Sequence, residues 1–323
     1  MYQKISQILE QYPLTVNRSY KGRGALILET ENGLRILKEY GGSEKRISFI
    51  GEVQAEIQKK VDFRVDTVLQ NAEGICISKD MYENQYYMRE WFNGRECDTK
   101  EREEVVRAAE TLAQLHGALE EYEGELPDFI TTGQEDIFEE FEKHNRELRK
   151  VKNYIREKKQ KNLFETEFLK AYESCKPQIQ ELAEKAAELE PQKKLLCHGD
   201  YTQHNVIFLQ NGLGICNFEQ LCWNTRMSDL TTFLRKIMEK NNWNLGLGME
   251  ILSAYEKNVS ISTAEWQELY LRMAYPTKFW KIANHYMNAH KAWPCQRDCE
   301  KIEHFMNQYE PREQFLVFLR QTW

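Results

Sequence analysis

The residues of greatest chemical interest lie between Leu195 and Asp229, in LLCHGDYTQHNVIFLQNGLGICNFEQLCWNTRMSD. His198-Gly199-Asp200 is followed five residues on by Asn205, and a hairpin around Asn211-Gly212 then leads to Asn217-Phe218-Glu219. A carboxylate on a tight loop can orient a hydroxyl and accept its proton, while a nearby amide oxygen offers a hard ligand to Mg²⁺. That combination suits phosphoryl transfer, with Asp200 as the base and Asn205 on the metal. A third oxygen ligand is expected from the next strand end. In an extended segment residues 217 and 219 project to the same side, so Asn217 or Glu219 can supply it.

Other chemistries have less support. No Gly-x-Ser-x-Gly occurs, and Cys197 beside His198 reads as the strand entering the loop rather than as a nucleophile. His290, Cys295, Cys299 and His304 form H-x4-C-x3-C-x4-H, which is not a standard zinc finger and is interrupted by Trp293-Pro294. Packed thiols and helix-face histidines are the preferred account there. The tract Tyr275, Phe279, Trp280, His285, Tyr286 and Trp293 has helical spacing and is expected in a core. The alternative is an aromatic wall for a cationic or ring-bearing substrate.

The elements that must position these residues follow from periodicity. Residues 3–11 are helical. Residues 25–30 and 34–40 are strands joined at Asn32-Gly33, a hairpin signal. Residues 44–60 form a helix with Ile47, Ile50, Val53 and Ile57 on one stripe. Strands are expected at 65–70, 75–78 and 86–91. After Gly94 the chain turns helical, with one helix over 99–122. Residues 135–190 are charge-rich and helical, broken at Pro177, and their charges, including the lysines of 158–161, form a solvated face. The β-prone island at 195–217 interrupts the helices, which resume over 228–323. A boundary near 93–98 separates a small β-rich lobe from a larger helical one, and clefts between such lobes favour ligands.

Composition narrows the function classes. The chain has 323 residues, 44 Lys+Arg, 51 Asp+Glu and a formal charge of −7. This balance gives no general electrostatic reason to bind nucleic acid or anionic lipid, and no apolar run is long enough to span a membrane. The N-terminus lacks a secretory apolar region. Eight cysteines in such a chain are expected as reduced, buried thiols.

The HGDxxxxN loop of His198, Gly199, Asp200 and Asn205 resembles that of aminoglycoside phosphotransferases and choline kinases. HGDYTQHNVIF, ICNF, Ser228–Trp243 and Tyr275–Asn288 are similar, more closely, to the bacterial spore coat proteins of the CotS type. The resemblance implies an α+β, bilobal protein-kinase-like fold. Its small N-terminal lobe, 1–93, has a five-stranded antiparallel sheet and one αC-like helix. Its helical C-terminal lobe, 94–323, carries the catalytic loop and substrate region. Lys38 then takes the place of the phosphate-contacting lysine, with Glu52 as its ion-pair partner and Glu56 as the alternative. Backbone groups of Glu90, Trp91 and Phe92 meet an adenine, and Ser19–Ala25 covers the phosphates. Asp229 braces the catalytic loop through His198, or simply caps its helix. ATP and Mg²⁺ are the implied cofactors, and the acceptor is an unidentified small-molecule hydroxyl. The other implied partners are spore coat proteins, with no nucleic acid and no membrane. The implied location is the mother-cell cytoplasm and finally the coat. Two departures stand out: Asn217 replaces the Asp usual among small-molecule kinases, and the phosphate loop is undistinguished. They leave open a second reading, a kinase-shaped scaffolding protein of the coat without turnover.

Overall fold

A computed structural model describes residues 2–22, 24–288 and 296–322. In chain order the first elements are α1 (Tyr2–Leu9), β1 (Val16–Gly22), β2 (Ala25–Thr30), β3 (Gly33–Glu39), α2 (Glu44–Gln58), β4 (Arg64–Val65), β5 (Val68–Leu69) and β6 (Ser78–Lys79). Next come β7 (Gln85–Glu90), β8 (Gly94–Glu96), α3 (Arg102–Glu120), α4 (Asp128–Thr131), α5 (Ile137–Glu157), α6 (Leu163–Ala187), β9 (Leu195–Cys197), β10 (Val206–Leu209) and β11 (Gly212–Ile215). A 3₁₀ turn at Phe218–Gln220 precedes β12 (Cys222–Asn224). The chain ends with α7 (Arg226–Lys240), α8 (Leu245–Glu256), α9 (Thr263–Ala274), α10 (Thr277–Asn288), α11 (Gln296–Asn307) and α12 (Tyr309–Gln321).

Contacts gather the chain into two compact units. The first comprises Met1–Thr132, Lys194–Phe233 and Ser253–Val259; the second comprises Gly133–Lys193, Leu234–Leu252 and Ser260–Trp323. The main sheet of the first unit runs β1-β2-β3-β7-β5, with β6 also pairing to β7, and all its pairings are antiparallel. Strand alternation divides its side chains between two faces. Leu28, Leu37 and Met88 pack with Ile8 and Tyr12 on one. Ile27 and Ile36 pack on the other with Trp91, Phe92, Ile207 and Cys216. β1 runs on to Gly22, which pairs with Ala25, so Ser19–Ala25 is mostly strand and a tight hairpin rather than an open loop. Arg23 lies outside the described residues.

The expected strand over 65–70 is split. β4 pairs in parallel with β11 in a second sheet, ordered β4-β11-β10-β8, while β5 pairs with β7 in the first. Asp66, fully buried, sits at the step between them. β9 and β12 pair separately.

The second unit is helical. α6 continues through Pro177, contrary to the expected break. Pro177 is on the exposed side, so the carbonyl it leaves unbonded faces water. The buried stripe from Phe164 through Cys175 to Ala186 spans both halves of the helix. The interruption falls instead at 158–162, where Asn162 begins a capping box with Glu165. Lys158 is also more than a solvated charge, because its ammonium bonds Glu165 at 2.6 Å and the Tyr286 hydroxyl at 3.0 Å. Of the aromatic tract, Tyr275 and Phe279 are core: Tyr275 stacks on Phe141, and Phe279 on Phe168. His290, Trp293 and Cys295 lie outside the described residues. The seven described cysteines form no disulfide with one another.

Candidate active site

Every residue singled out above for phosphoryl transfer falls in the first unit. β9 delivers the chain to a turn at Gly199, whose φ of +79° and 1.9 Å approach of a notional Cβ to the Gln220 carbonyl oxygen demand glycine. Asp229, buried in the first turn of α7, braces this turn. Its carboxylate accepts the backbone N–H of His198 at 2.7 Å and of Gly199 at 2.9 Å, and lies 3.3 Å from His116 Nε2. Burial opposes its charge, but the hydrogen bonds from His116 and Gly199 outweigh it and hold its pKa below the usual value. The bracing therefore reaches the backbone directly rather than through the His198 ring.

The His198 ring has a different task. Its Nε2 lies 3.1 Å from the Cys216 carbonyl, which can only accept, so Nε2 carries the proton. Nδ1 then accepts the Asp200 N–H at 3.2 Å. Burial lowers its pKa and keeps the ring neutral, which makes it a fixed strut rather than an acid or base. Asn205 Nδ2 donates to the Asp200 carbonyl at 2.8 Å and to Asp200 Oδ2 at 3.0 Å. These bonds leave Asp200 Oδ1 for a hydroxyl, and turn Asn205 Oδ1 away as an oxygen donor.

Lys38 meets an acid, but not one on α2. Its ammonium lies 2.6 Å from Glu219 Oε1, which also accepts the buried Tyr87 hydroxyl. Glu219 is partly buried, which would raise its pKa, yet Lys38 and Tyr87 bring it below the usual range. Arg46 of α2 reaches the carbonyls of Glu219 (3.2 Å) and Leu221 (2.8 Å). The expected Lys38–Glu52 pair is thus corrected: Glu52 is exposed, and the alternative Glu56 is bound to Lys59 at 2.6 Å. The apolar stripe turns Val53 and Gln54 inward at that level of α2 and leaves Glu52 outside. Because Gly199 packs against Gln220, the loop that carries Asp200 adjoins the segment that binds Lys38.

A trio missed by sequence reasoning supports that segment. Asp66 forms a buried ion pair with Arg89, its Oδ1 accepts Gln54 Nε2 at 3.0 Å, and its Oδ2 accepts the Asn217 N–H at 2.8 Å. Asn217 is left-handed, with φ of 74°, a conformation that Asn tolerates better than most residues. The available signal was a pair of opposite charges, Asp66 and Arg89, inside two apolar strand runs. At the β7 end, the Glu90 N–H donates to Thr67 O at 2.9 Å and the Trp91 N–H to Leu34 O at 3.0 Å. Phe92 follows beyond the last strand residue. Its ring packs against Gly214, where a Cβ would come within 2.6 Å.

A loop clasped to its own amide, a lysine held by an acid and a strand end leading to a buried apolar cluster together describe a phosphotransferase framework. The sequence profile of the phosphotransferase enzyme family matches residues 47–271, from within α2 to within α9. This chain belongs to that family. Spore coat protein S of Bacillus subtilis (strain 168) is 22% identical over 98% of this chain and 95% of its own length. An aminoglycoside phosphotransferase from Alicyclobacillus acidocaldarius shares the fold with a TM-score of 0.82 and 19% identity, over 98% of this chain and 95% of that one. A spectinomycin phosphotransferase, solved with ADP and spectinomycin, gives a TM-score of 0.68 and 14% identity over 99% and 98% of the two chains. The phosphotransferase fold is thus mixed α+β and kinase-like. No described helix is long and apolar enough to cross a membrane.

The donor set suits a hard cation. Asn205 Oδ1 and Asn217 Oδ1 are amide oxygens, and Glu219 is an ionised carboxylate whose Oε1 is engaged by Lys38.

Proposed function

We propose that this phosphotransferase moves the γ-phosphoryl group of ATP to the hydroxyl of a small molecule. The observation that carries the proposal is the Asp200–Asn205 clasp, which fixes one carboxylate oxygen and frees the other. The acceptor hydroxyl binds to Asp200 Oδ1 and gives up its proton there. Its oxygen forms a bond to the γ-phosphorus as the bond from phosphorus to the β–γ bridging oxygen breaks, and ADP leaves. Lys38, aligned by Glu219 and Tyr87, neutralises phosphate charge, and the backbone of the strand end at Glu90–Phe92 takes the adenine. Asn205, with Asn217 or Glu219, would hold Mg²⁺, which supplies charge neutralisation on the phosphates. Positioning and electrostatics provide most of the rate in such chemistry. The near full-length likeness to Spore coat protein S supports synthesis in a mother-cell cytoplasm and final residence in the spore coat, beside other coat proteins.

Asn217 favours a second reading, a coat scaffold without turnover, because an amide brings no negative charge to a cation. ATP consumption with a panel of hydroxyl acceptors separates the two. We expect turnover that Asp200→Ala reduces by at least about a thousandfold. Turnover that survives the substitution defeats the mechanism, and its absence from wild type selects the scaffold. Equal Mg²⁺-ATP affinity in wild type and Glu219→Ala would remove Glu219 from the metal site and leave it only as the lysine's clamp.

A further inference from the structure

The phosphotransfer machinery uses no side chain of the second unit, yet that unit gathers an unusual set of cations. A cavity of about 250 Å³ is lined by the C-terminal half of α7, by α10 and by α11. Lys278, Lys281 and His285 stand at i, i+3 and i+7 on α10 and so share one face. Lys301, whose ammonium bonds Asp298 at 2.7 Å, enters from α11, and Arg235 and Lys236 from α7. The acid in the lining is Glu239, which bonds Lys278 at 3.1 Å. A chain of net charge −7 does not produce such a concentration through composition alone.

Arg235 is the informative member. Its Nε is buried and, among the described residues, has no hydrogen-bond partner. A guanidinium cannot escape the cost of burial by losing its proton, and a buried donor without an acceptor is unfavourable. The neighbouring Arg312, a buried residue, shows the ordinary solution: it donates to the carbonyls of Met273 and Ala274. Among the described residues Arg235 Nε has no such carbonyl, and the residue lines the cavity instead. Ion-paired lysines at a rim need no explanation, but a buried guanidinium nitrogen without an acceptor does. Several converging donors around one small space suit a compact, doubly charged oxyanion better than a single carboxylate. The cavity is too small for a nucleic-acid duplex.

We propose that this cavity binds a dianionic phosphate group, borne by a small phosphorylated molecule or free as inorganic phosphate, with Arg235 at its base and Lys281 and Lys301 at its rim. The site is independent of catalysis at Asp200, and its test does not require turnover. Calorimetric titration of the full chain with sn-glycerol 3-phosphate and with inorganic phosphate would be compared in wild type, Lys38→Met, Arg235→Gln and Lys301→Gln. Wild type and Lys38→Met should bind at least one probe equally well, whereas Arg235→Gln weakens it about tenfold and Lys301→Gln about threefold. Tighter binding of glycerol 3-phosphate assigns the site to phosphate esters; equal or tighter binding of inorganic phosphate assigns it to the free ion. The proposal is overturned if wild type binds neither probe, if Arg235→Gln binds like wild type, or if Lys38→Met abolishes binding. Should Arg235→Gln fail to fold by circular dichroism, Lys301→Gln decides: weakened binding supports the site, and unchanged binding overturns it.

Discussion

Two buried histidines give the chain a predictable acid response. Burial depresses the pKa of both His144 and His198. An unfolded chain takes up these protons near the ordinary value of about 6.5, before the folded chain does, so protonation favours unfolding. Stability is complete above that pH and is lost as pH falls toward the folded values, by up to about 1.4 kcal/mol per pH unit for each ring. His144 is the better test because its Nδ1 has no partner among the described residues and its ring lies 3.6 Å from that of Trp280. His144→Phe keeps the stack and removes the titration. Urea unfolding at pH 7 and pH 5 should show a smaller loss for the variant, and an equal loss would exclude His144 as a source. Below about pH 4 Asp229 adds a second decline, since its depressed pKa contributes stability only above the unfolded value.

At this same scale, Asp200 and Asn205 were legible because their relation is local: five residues on one loop. The partner of Lys38 was not. A stripe of four aliphatic residues on α2 offers Glu52 and Glu56 at its flanks but does not show that the acid comes instead from Glu219, 181 residues away.

Elements record where local propensity lost to packing. Proline inside a helix costs roughly 3 kcal/mol relative to alanine, and its presence at 177 suggested a break. α6 tolerates it because the apolar stripe on both sides is buried and the proline faces water. Pro177→Ala should therefore stabilise the chain by about 1–3 kcal/mol, read as a higher urea midpoint; a lower midpoint would mean that the kink itself is needed. Gly199 is the opposite case. Alanine there must adopt a positive φ and displace the Gln220 carbonyl, the contact that joins the catalytic loop to the Lys38-binding segment. Gly199→Ala should cost about 2–4 kcal/mol and weaken nucleotide binding with it, whereas thermal unfolding and ATP affinity like wild type's would show that the two segments move independently. Neither the split of 65–70 between two sheets nor the role of Asp66 could be read from periodicity. Two-residue strands have no detectable alternation, and their pairing is decided by distant partners.

The whole molecule shows why those partners matter. The first unit is assembled from separated parts of the chain: β4 pairs residues 64–65 with 214–215, β8 pairs residues 94–96 with 207–209, and the apolar cluster under Trp91 is completed by Ile207 and Cys216. Pairings this far apart in sequence carry loop-closure entropy that must be offset by burial before any local gain appears. A fragment of residues 1–132 retains its main antiparallel sheet and the Ile8–Tyr12 side of its core, but loses the strands that cover β4 and β8 and two members of the opposite cluster. It also exposes the Asp66–Arg89 pair, since the Asn217 N–H that completes it comes from the missing segment. Such a fragment should lack cooperative urea unfolding and bind an apolar dye, while the full chain shows a sharp transition. A cooperative transition in 1–132 alone would mean that the antiparallel sheet is an autonomous folding unit, and that the catalytic segment docks onto a framework already made.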